Sequence, residues 1–301
     1  MDVSYSLQDV PGKGKGLVAS RAISRGELIL SEAPLIQQDR SYSNASILRA
    51  LAPVSEQQQR EYFSLANAHK GNRSIPPPLG IFKTNALPCG DHSVLEGSAA
   101  THAAVFVLGS RFNSSCEPNV NNYWDANLQK ITFWATRDIA IGEELCISYG
   151  ECLASREARR SRLKRLFGFD CTCVACSRTG EDLTKSDERR LEIARLYEEI
   201  GQCGGAPAAG VRMVKRALRL LEEEGLLGLS TAGLYYDAFQ FCVSVADSKN
   251  AKAWASKAWD TYCAMRGPDS EAAKKMHKYL KDPRAHLAFG LYPRQKLSGP
   301  D

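Results

Sequence analysis

Residues 168–176 read Gly-Phe-Asp-Cys-Thr-Cys-Val-Ala-Cys, which places Cys171, Cys173 and Cys176 within six positions of one another. Folding cannot disperse three thiols spaced this closely, so the surrounding structure must accommodate a sulfur cluster. The C-x-C-x2-C spacing suits a metal ion: the chain can fold back at the intervening residues, and zinc–sulfur attraction offsets the crowding of negative charge. The alternative is a chance grouping of core thiols. A structural zinc site closes with four ligands, so a fourth has to come from elsewhere. The candidates are Cys89, Cys116, Cys146, Cys152 and the histidines. Cys146 lies in an apolar, strand-like run and reads as core, whereas Cys152 follows a strand end. Cys116 sits in the polar loop Arg-Phe-Asn-Ser-Ser-Cys-Glu-Pro-Asn, where a thiolate can point away from a rigid turn. Spacing favours Cys116 over Cys152 only modestly and leaves both open.

The 301-residue chain suits two domains better than one core. No run of eighteen apolar residues occurs, so no membrane span is expected. The first residues, Met-Asp-Val-Ser-Tyr-Ser, lack the apolar stretch of a signal peptide. An intracellular location is therefore expected, in nucleus, cytoplasm or both, where ten cysteines would stay reduced. The net charge of +5 suits an acidic partner without requiring one.

Short apolar runs between turns predict strands from Leu17 to about Leu35. Residues from about Ser43 to Ala68 read as helix, ended by Ser-Ile-Pro-Pro-Pro-Leu-Gly. A second helix-like apolar stretch is expected from about Ser98. Strands follow in "VNNYW", "LQKITFWATRDI" and "ELCISYG", the first two joined as a hairpin through Asp125-Ala126-Asn127. Between Arg156 and Arg165 six basic residues face one acid, a pattern that fits either a solvated helix face or an anionic partner. Beyond about Leu183 long amphipathic segments predict antiparallel helices.

Four segments together resemble the SET-domain protein lysine methyltransferases. "RFNSSCEPN" is similar to that family's Asn-His-Ser-Cys-x-Pro-Asn signature, with Ser114 at the histidine position. "GEELCISYG" resembles its Gly-Glu-Glu-Leu-x-x-x-Tyr-Gly signature, "GKGKGLVASRAISRGELIL" its N-terminal Gly-x-Gly segment, and "CTCVAC" its post-SET cluster. The resemblance implies an α+β protein: a SET-domain β-clip with a knot-like crossing over 1–152, a helical insertion at about 40–97, a post-SET zinc segment over 153–180 and a helical domain over 181–301. It also implies that Cys116 completes a zinc site with Cys171, Cys173 and Cys176. The order of parts is similar to the SMYD-like branch. Because Gln37 to Gly97 holds only Cys89, His69 and His92, a two-zinc MYND finger is not expected, and the chain resembles compact fungal-type SET proteins.

By the same resemblance, S-adenosylmethionine would be held by Lys13, Gly14, Lys15, Gly16, Asn85, Asn113, Ser114, Tyr149 and Phe169. The lysines would meet the cofactor carboxylate and Phe169 the adenine. Taken singly, these residues read as a flexible turn, turn asparagines and core aromatics. Tyr149 is the expected catalytic residue, aiming its phenol oxygen at the reacting centre. Ile147 occupies a position that tunes how many methyl groups are added, and its aliphatic side chain leaves that number open. The expected partner is a protein lysine, in a histone or another protein, and the expected state is a monomer. The helical C-terminal part is expected to form one wall of the substrate cleft. Two rival readings are a SET-scaffold interaction module without catalysis, favoured by Ser114, and a nucleic-acid-binding zinc protein, favoured by the basic run.

Overall fold

The computed structural model describes residues 3–90, 100–228 and 231–301. Its first part is a set of small sheets. Strands β1 (Tyr5–Val10) and β2 (Gly14–Ala19) form an antiparallel hairpin. β3 (Leu28–Glu32) pairs with the later hairpin of β8 (Val120–Asp125) and β9 (Lys130–Ala135), in the order β3-β9-β8. β4 (Ile36–Asp39) and β5 (Leu87–Cys89) flank β6 (His102–Val105). The fourth sheet, β7 (Asn113–Ser114) with β10 (Cys146–Ile147), is a parallel pair two residues long. Leu17, Phe106, Phe112, Ile131, Phe133 and Leu145 fill the core these sheets share.

Between β4 and β5 lie α1 (Asn44–Leu51), α2 (Glu56–Phe63) and α3 (Pro77–Asn85). Capping boxes at Ser43/Ser46 and Ser55/Gln58 satisfy the free amides that start the first two. Their apolar faces, with Ile47, Tyr62 and Phe82, make a separate small core. Residues 91–97 of the expected insertion, His92 among them, lie outside the described residues.

Two expectations are corrected. The Pro-rich run does not simply end the helices; Pro77 starts α3, because proline at the first helical position loses no hydrogen bond and its fixed φ suits a helix. The stretch expected to be helical from about Ser98 forms, in its described part, strand β6 followed by a turn and a single 3-10 turn at Gly109–Arg111. As the central strand, β6 is bonded on both edges by β4 and β5, and Ala104 and Val105 are fully buried. A strand in that setting carries a continuous apolar run that periodicity cannot separate from a buried helix. Its hairpin neighbour β8–β9 forms as expected, though the turn spans residues 126–129.

After β10 come α4 (Arg156–Phe167), the short α5 (Val174–Ser177), and then α6 (Gly180–Gly201), α7 (Pro207–Glu223), α8 (Thr231–Ser244), α9 (Ser248–Arg266) and α10 (Glu271–Lys281). Ile193, Val214, Phe239 and Trp254 centre the core of these last five helices. Among the described residues no helix is long and apolar enough to cross a membrane.

The end of α9 docks on the β8–β9 hairpin. Asn121 donates to the Met265 carbonyl at 2.9 Å, and the Arg266 guanidinium lies 5.0 Å and 5.2 Å from the Tyr123 and Tyr262 ring centroids. The helix stops at Gly267, whose φ of 84° and ψ of 156° are open to glycine almost alone. A Cβ there would also come within 2.9 Å of the Trp134 indole. Gly267→Ala is therefore expected to destabilise the protein by about 1–3 kcal/mol, read as a lower thermal midpoint. An unchanged midpoint would show that this junction is not under steric control.

Candidate active site and thiol cluster

The β7–β10 pair sets two signature segments side by side, with Asn113 opposite Cys146 and Ser114 opposite Ile147. Tyr149 follows β10. Its backbone N–H donates to the Ser114 hydroxyl at 3.3 Å and its phenol O–H donates to the Phe112 carbonyl at 2.7 Å. One tyrosine thus grips both ends of the opposite segment. Its ring lies 4.8 Å from Phe167 and 6.5 Å, edge-on, from Phe169. Burial above all, with the Glu144 carboxylate nearby, pushes the phenol well above its ordinary pKa, so it stays a neutral hydroxyl across the physiological range. Ser114 is buried, and its hydroxyl supplies a brace to Tyr149 without an imidazole. Ile147 is buried in the sheet core.

Beside this pair lies the glycine-rich hairpin. Asn113 Nδ2 donates to Glu144 Oε1 at 2.8 Å, and Lys13 Nζ reaches Glu144 Oε2 at 2.6 Å. Burial opposes the Lys13 charge, but the Glu144 hydrogen bond and nearby negative charge outweigh it and hold the ammonium above its ordinary pKa. Lys15 pairs with Asp9 at 3.0 Å. Both lysines expected to face a cofactor carboxylate therefore hold acids of the chain itself. Gly16 contributes by what it lacks: a Cβ there would stand 2.6 Å from Asn113 Nδ2, 2.8 Å from Val10 Cγ2 and 3.2 Å from Glu144 Oε1. Gly14 has a φ of 74° and open space around it.

Asn85 reaches the region from the insertion, as the last residue of α3. Its amide nitrogen donates to the Ala66 and Ile81 carbonyls, each at 2.7 Å, and its own main-chain carbonyl accepts from Ser110 at 3.0 Å. With both amide hydrogens committed, the side chain offers a ligand its carbonyl oxygen.

Cys116, Cys171, Cys173 and Cys176 converge, with all four sulfurs within 4.8 Å of one another and all four residues buried. Helix α4 ends at Gly168 in the left-handed conformation, which reverses the chain into the three clustered cysteines. Sulfurs held about 2.3 Å from a tetrahedral centre lie about 3.8 Å apart; Cys116 and Cys176 are 3.6 Å apart. The Cys116 amide donates to Cys173 Sγ at 3.4 Å, as a thiolate invites. Mutual hydrogen bonding, from Cys116 first, draws Cys173 far below the ordinary thiol pKa and Cys176 to about 7, while Cys116 is driven the other way. Four converging, buried thiols form a donor set that fits one soft divalent ion. Cys152 is absent from the group; its sulfur lies 3.0 Å from the Ser148 hydroxyl.

The basic run is less outward than its sequence implies. Arg159 is buried and donates to the Ala154 carbonyl, and Arg156 donates to the Arg178 carbonyl at 3.1 Å. A cleft of about 440 Å³ opens between Ser148 and residues 150–153, Arg162 of α4, and Tyr197 and Leu221 of the C-terminal helices; Tyr149 itself does not line it.

Apart from Asn85, whose contacts are with Ala66, Ile81 and Ser110, the expected site residues fall into two adjoining groups that meet at Tyr149, which packs against both the sheet core and the thiol cluster. Sequence reasoning assigned no role to Glu144, Phe112 or Phe167. Glu144 was visible as the second acid of Gly-Glu-Glu-Leu. Phe112 acts through its main-chain carbonyl and left no side-chain signal.

The family description "SET domain" matches residues 14–150. The chain is 34% identical over 291 residues to the histone-lysine N-methyltransferase set5 of Schizosaccharomyces pombe, covering 95% of this chain and 87% of that protein. Shorter matches reach the protein-lysine N-trimethyltransferase SMYD5 of Mus musculus, at 33% identity over 36% of this chain and 26% of that one. The histone-lysine N-methyltransferase SMYD3 of Homo sapiens matches at 29% over 42% and 30% respectively.

The three atoms that crowd Gly16 are ends of side chains, so the fold can absorb a methyl group there, but Asn113 and Glu144 cannot both keep their places. Gly16→Ala is expected to weaken S-adenosylmethionine binding about tenfold by calorimetry, the equivalent of one displaced charged hydrogen bond, while circular dichroism stays unchanged. Undiminished binding would place the cofactor away from Asn113.

Proposed function

Because the chain belongs to the SET-domain lysine methyltransferases, enzymes that use S-adenosylmethionine, we propose that it methylates a lysine side chain in a histone or another protein, with Tyr149 at the reacting centre. In this reading residues 1–152 are the SET domain, 153–180 the post-SET segment and 181–301 a helical domain. The observation that carries the reading is the double hold on Tyr149: its phenol bonded to Phe112 O and its amide to Ser114, next to Asn113.

Gly16, Asn113 and the Asn85 carbonyl would hold the cofactor, which supplies, when bound, a methyl group on a sulfonium ready for in-line displacement. The residues of the chain do the rest. Donation to Phe112 O fixes the phenol in direction and leaves its oxygen lone pairs turned to accept from the incoming amine or from polarised C–H groups. High pKa keeps that oxygen neutral, so it orients the amine without trapping its proton. A lysine amine is charged near neutral pH, and the apolar surround of Phe167 and Phe169 disfavours the charged form and brings its pKa down. Positioning then supplies much of the acceleration. The cleft bounded by Tyr197 and Leu221 lies beside the residues that follow Tyr149 and suits a segment of substrate protein. We assign the four cysteines to one zinc ion that fastens the post-SET segment to the loop of the first signature. The hydrogen bond kept by Ser114 favours an active enzyme over a scaffold, and the buried Arg159 takes one cation of the basic run away from any nucleic-acid surface.

Purified protein incubated with labelled S-adenosylmethionine and a histone mixture or lysate should label protein lysine. Tyr149→Phe should lower the rate about a hundredfold, as expected for misplaced reacting groups, with cofactor affinity nearly kept. Transfer at the full rate by that variant would remove Tyr149 from the centre. Elemental analysis should find one zinc per chain, and Cys116→Ser should lose it together with thermal stability although the other three thiols remain. Stoichiometric zinc in Cys116→Ser would refute the four-cysteine assignment.

A further inference from the structure

Behind the thiol cluster lies a buried ionic node that the readings above leave without a role. Glu224, in the turn after α7, is fully buried and accepts from Ser186 at 2.7 Å, Arg189 at 2.6 Å, Arg190 at 2.8 Å and Arg178 at 3.1 Å. Arg178 also binds Glu117 at 2.7 Å. Glu117 follows Cys116 in the chain, and Arg178 stands two residues after Cys176. Arg190, with no exposed side-chain surface, spreads its guanidinium furthest. Nε meets Glu224 and, at 3.4 Å, Ser186; Nη2 lies 3.5 Å from Glu117; and Nη1 donates to two main-chain carbonyls, Cys152 at 2.6 Å and Cys116 at 3.2 Å.

Those two carbonyls belong to the two segments that meet in the β7–β10 pair. One runs from Asn113 to the metal-ligand position Cys116, the other from Tyr149 to Cys152. The ladder joining them is two residues long, too short to fix their spacing by itself. A planar guanidinium with several donors in fixed directions can do so, and a lysine ammonium on a flexible stem cannot hold the same points at once. Three arginines face Glu117, Glu224 and, at 3.9 Å from Arg189, Glu223, so the charges of the node balance beside the thiol cluster.

We propose that Arg190, a residue of the C-terminal helices, is a positioning residue for methyl transfer: it clamps the main chain of Cys116 to that of Cys152 and so sets where Tyr149 stands relative to Asn113 and the metal loop. The inference rests on the roles given above to Tyr149 and the four cysteines. On this view the C-terminal helices hold the site in register from behind as well as lining a cleft. Glu224 is what makes the clamp tolerable, because a buried guanidinium without a counter-charge would be expelled or would pull water in.

The test compares Arg190→Lys with Arg189→Ala in the metal-loaded full chain. Arg189 bonds the same Glu224 but touches neither carbonyl, so a purely structural node would make the two variants alike. Arg190→Lys is expected to release zinc to a chromogenic chelator about tenfold faster and to lower kcat about tenfold, as for loss of a charged hydrogen bond, with the protein-substrate KM within about twofold of wild type. Arg189→Ala is expected to lower the thermal midpoint while zinc release and kcat stay within about twofold. Equal effects in the two variants, or an unaltered zinc-release rate in Arg190→Lys, would overturn the clamp. Ser186→Ala, which loosens Arg190 and keeps its charge, should move both readouts in the same direction by about threefold, and it decides the matter if Arg190→Lys does not fold. A wild-type protein that transfers no methyl would overturn the function proposed above, while the zinc-release rates would still decide the clamp.

Discussion

A parallel ladder of only two residues, Asn113–Ser114 against Cys146–Ile147, is the contact on which the rest of the site depends. Parallel strands need a long connection between them. Here that connection is the β8–β9 hairpin and the return past Ile139, packed into the main core. Once the two segments are side by side, everything chemical lies within a few residues: Glu144 before the ladder, Tyr149 after it, Asn113 in it, and Cys116 just beyond. Such a short ladder contributes little energy of its own. Its geometry is imposed by neighbours, namely the Tyr149 hydrogen bonds on one side and the ionic node on the other.

Electrostatics partition the site into two dissimilar compartments. On the hairpin side, Lys13 and Asn113 share the two oxygens of Glu144, so a carboxylate and an ammonium are kept close without being spent on a ligand. On the cluster side, the buried Arg159 guanidinium faces Cys116 and Cys176, and the guanidiniums of the node are held by glutamates. Tyr149 stands at the boundary with its hydroxyl bonded to a neutral carbonyl. A phenol between two charged regions that is itself tied to a neutral acceptor keeps its proton and its direction, and these are the properties that orienting a nucleophile requires.

What the chain makes legible follows from what leaves a side-chain pattern. The three clustered cysteines, the signature around Cys116 and the amphipathic helices after Gly180 could be read, since each is a local arrangement of distinctive residues. The β6 stretch was misread because alanine and buried apolar residues serve a central strand as well as a helix. The start of α3 was hidden behind prolines that more often interrupt helices than begin them. Main-chain participants such as the Phe112 carbonyl carry no compositional trace. Arg190 and Glu224 sit in helices dense with charges, where a buried pair and a solvated pair look the same until burial is known; only the fold distinguishes Arg190, wholly enclosed, from the exposed Arg195 on the same helix.

The long sequence separations within the site impose an order on its birth. Cys116 meets Cys176 across sixty positions, and the chain leaves the ribosome at about 5–20 residues per second. For several seconds the first-signature thiol therefore waits without its partners, accessible to oxidants and to stray metals. Glu224 emerges later still, after Arg178, Arg189 and Arg190 are already made, so until then Arg178 and Arg190 have Glu117 as their acid in the node. All four cysteines are made by residue 176 and the last acid of the node only at residue 224, so the thiol cluster can assemble before the ionic node beside it closes.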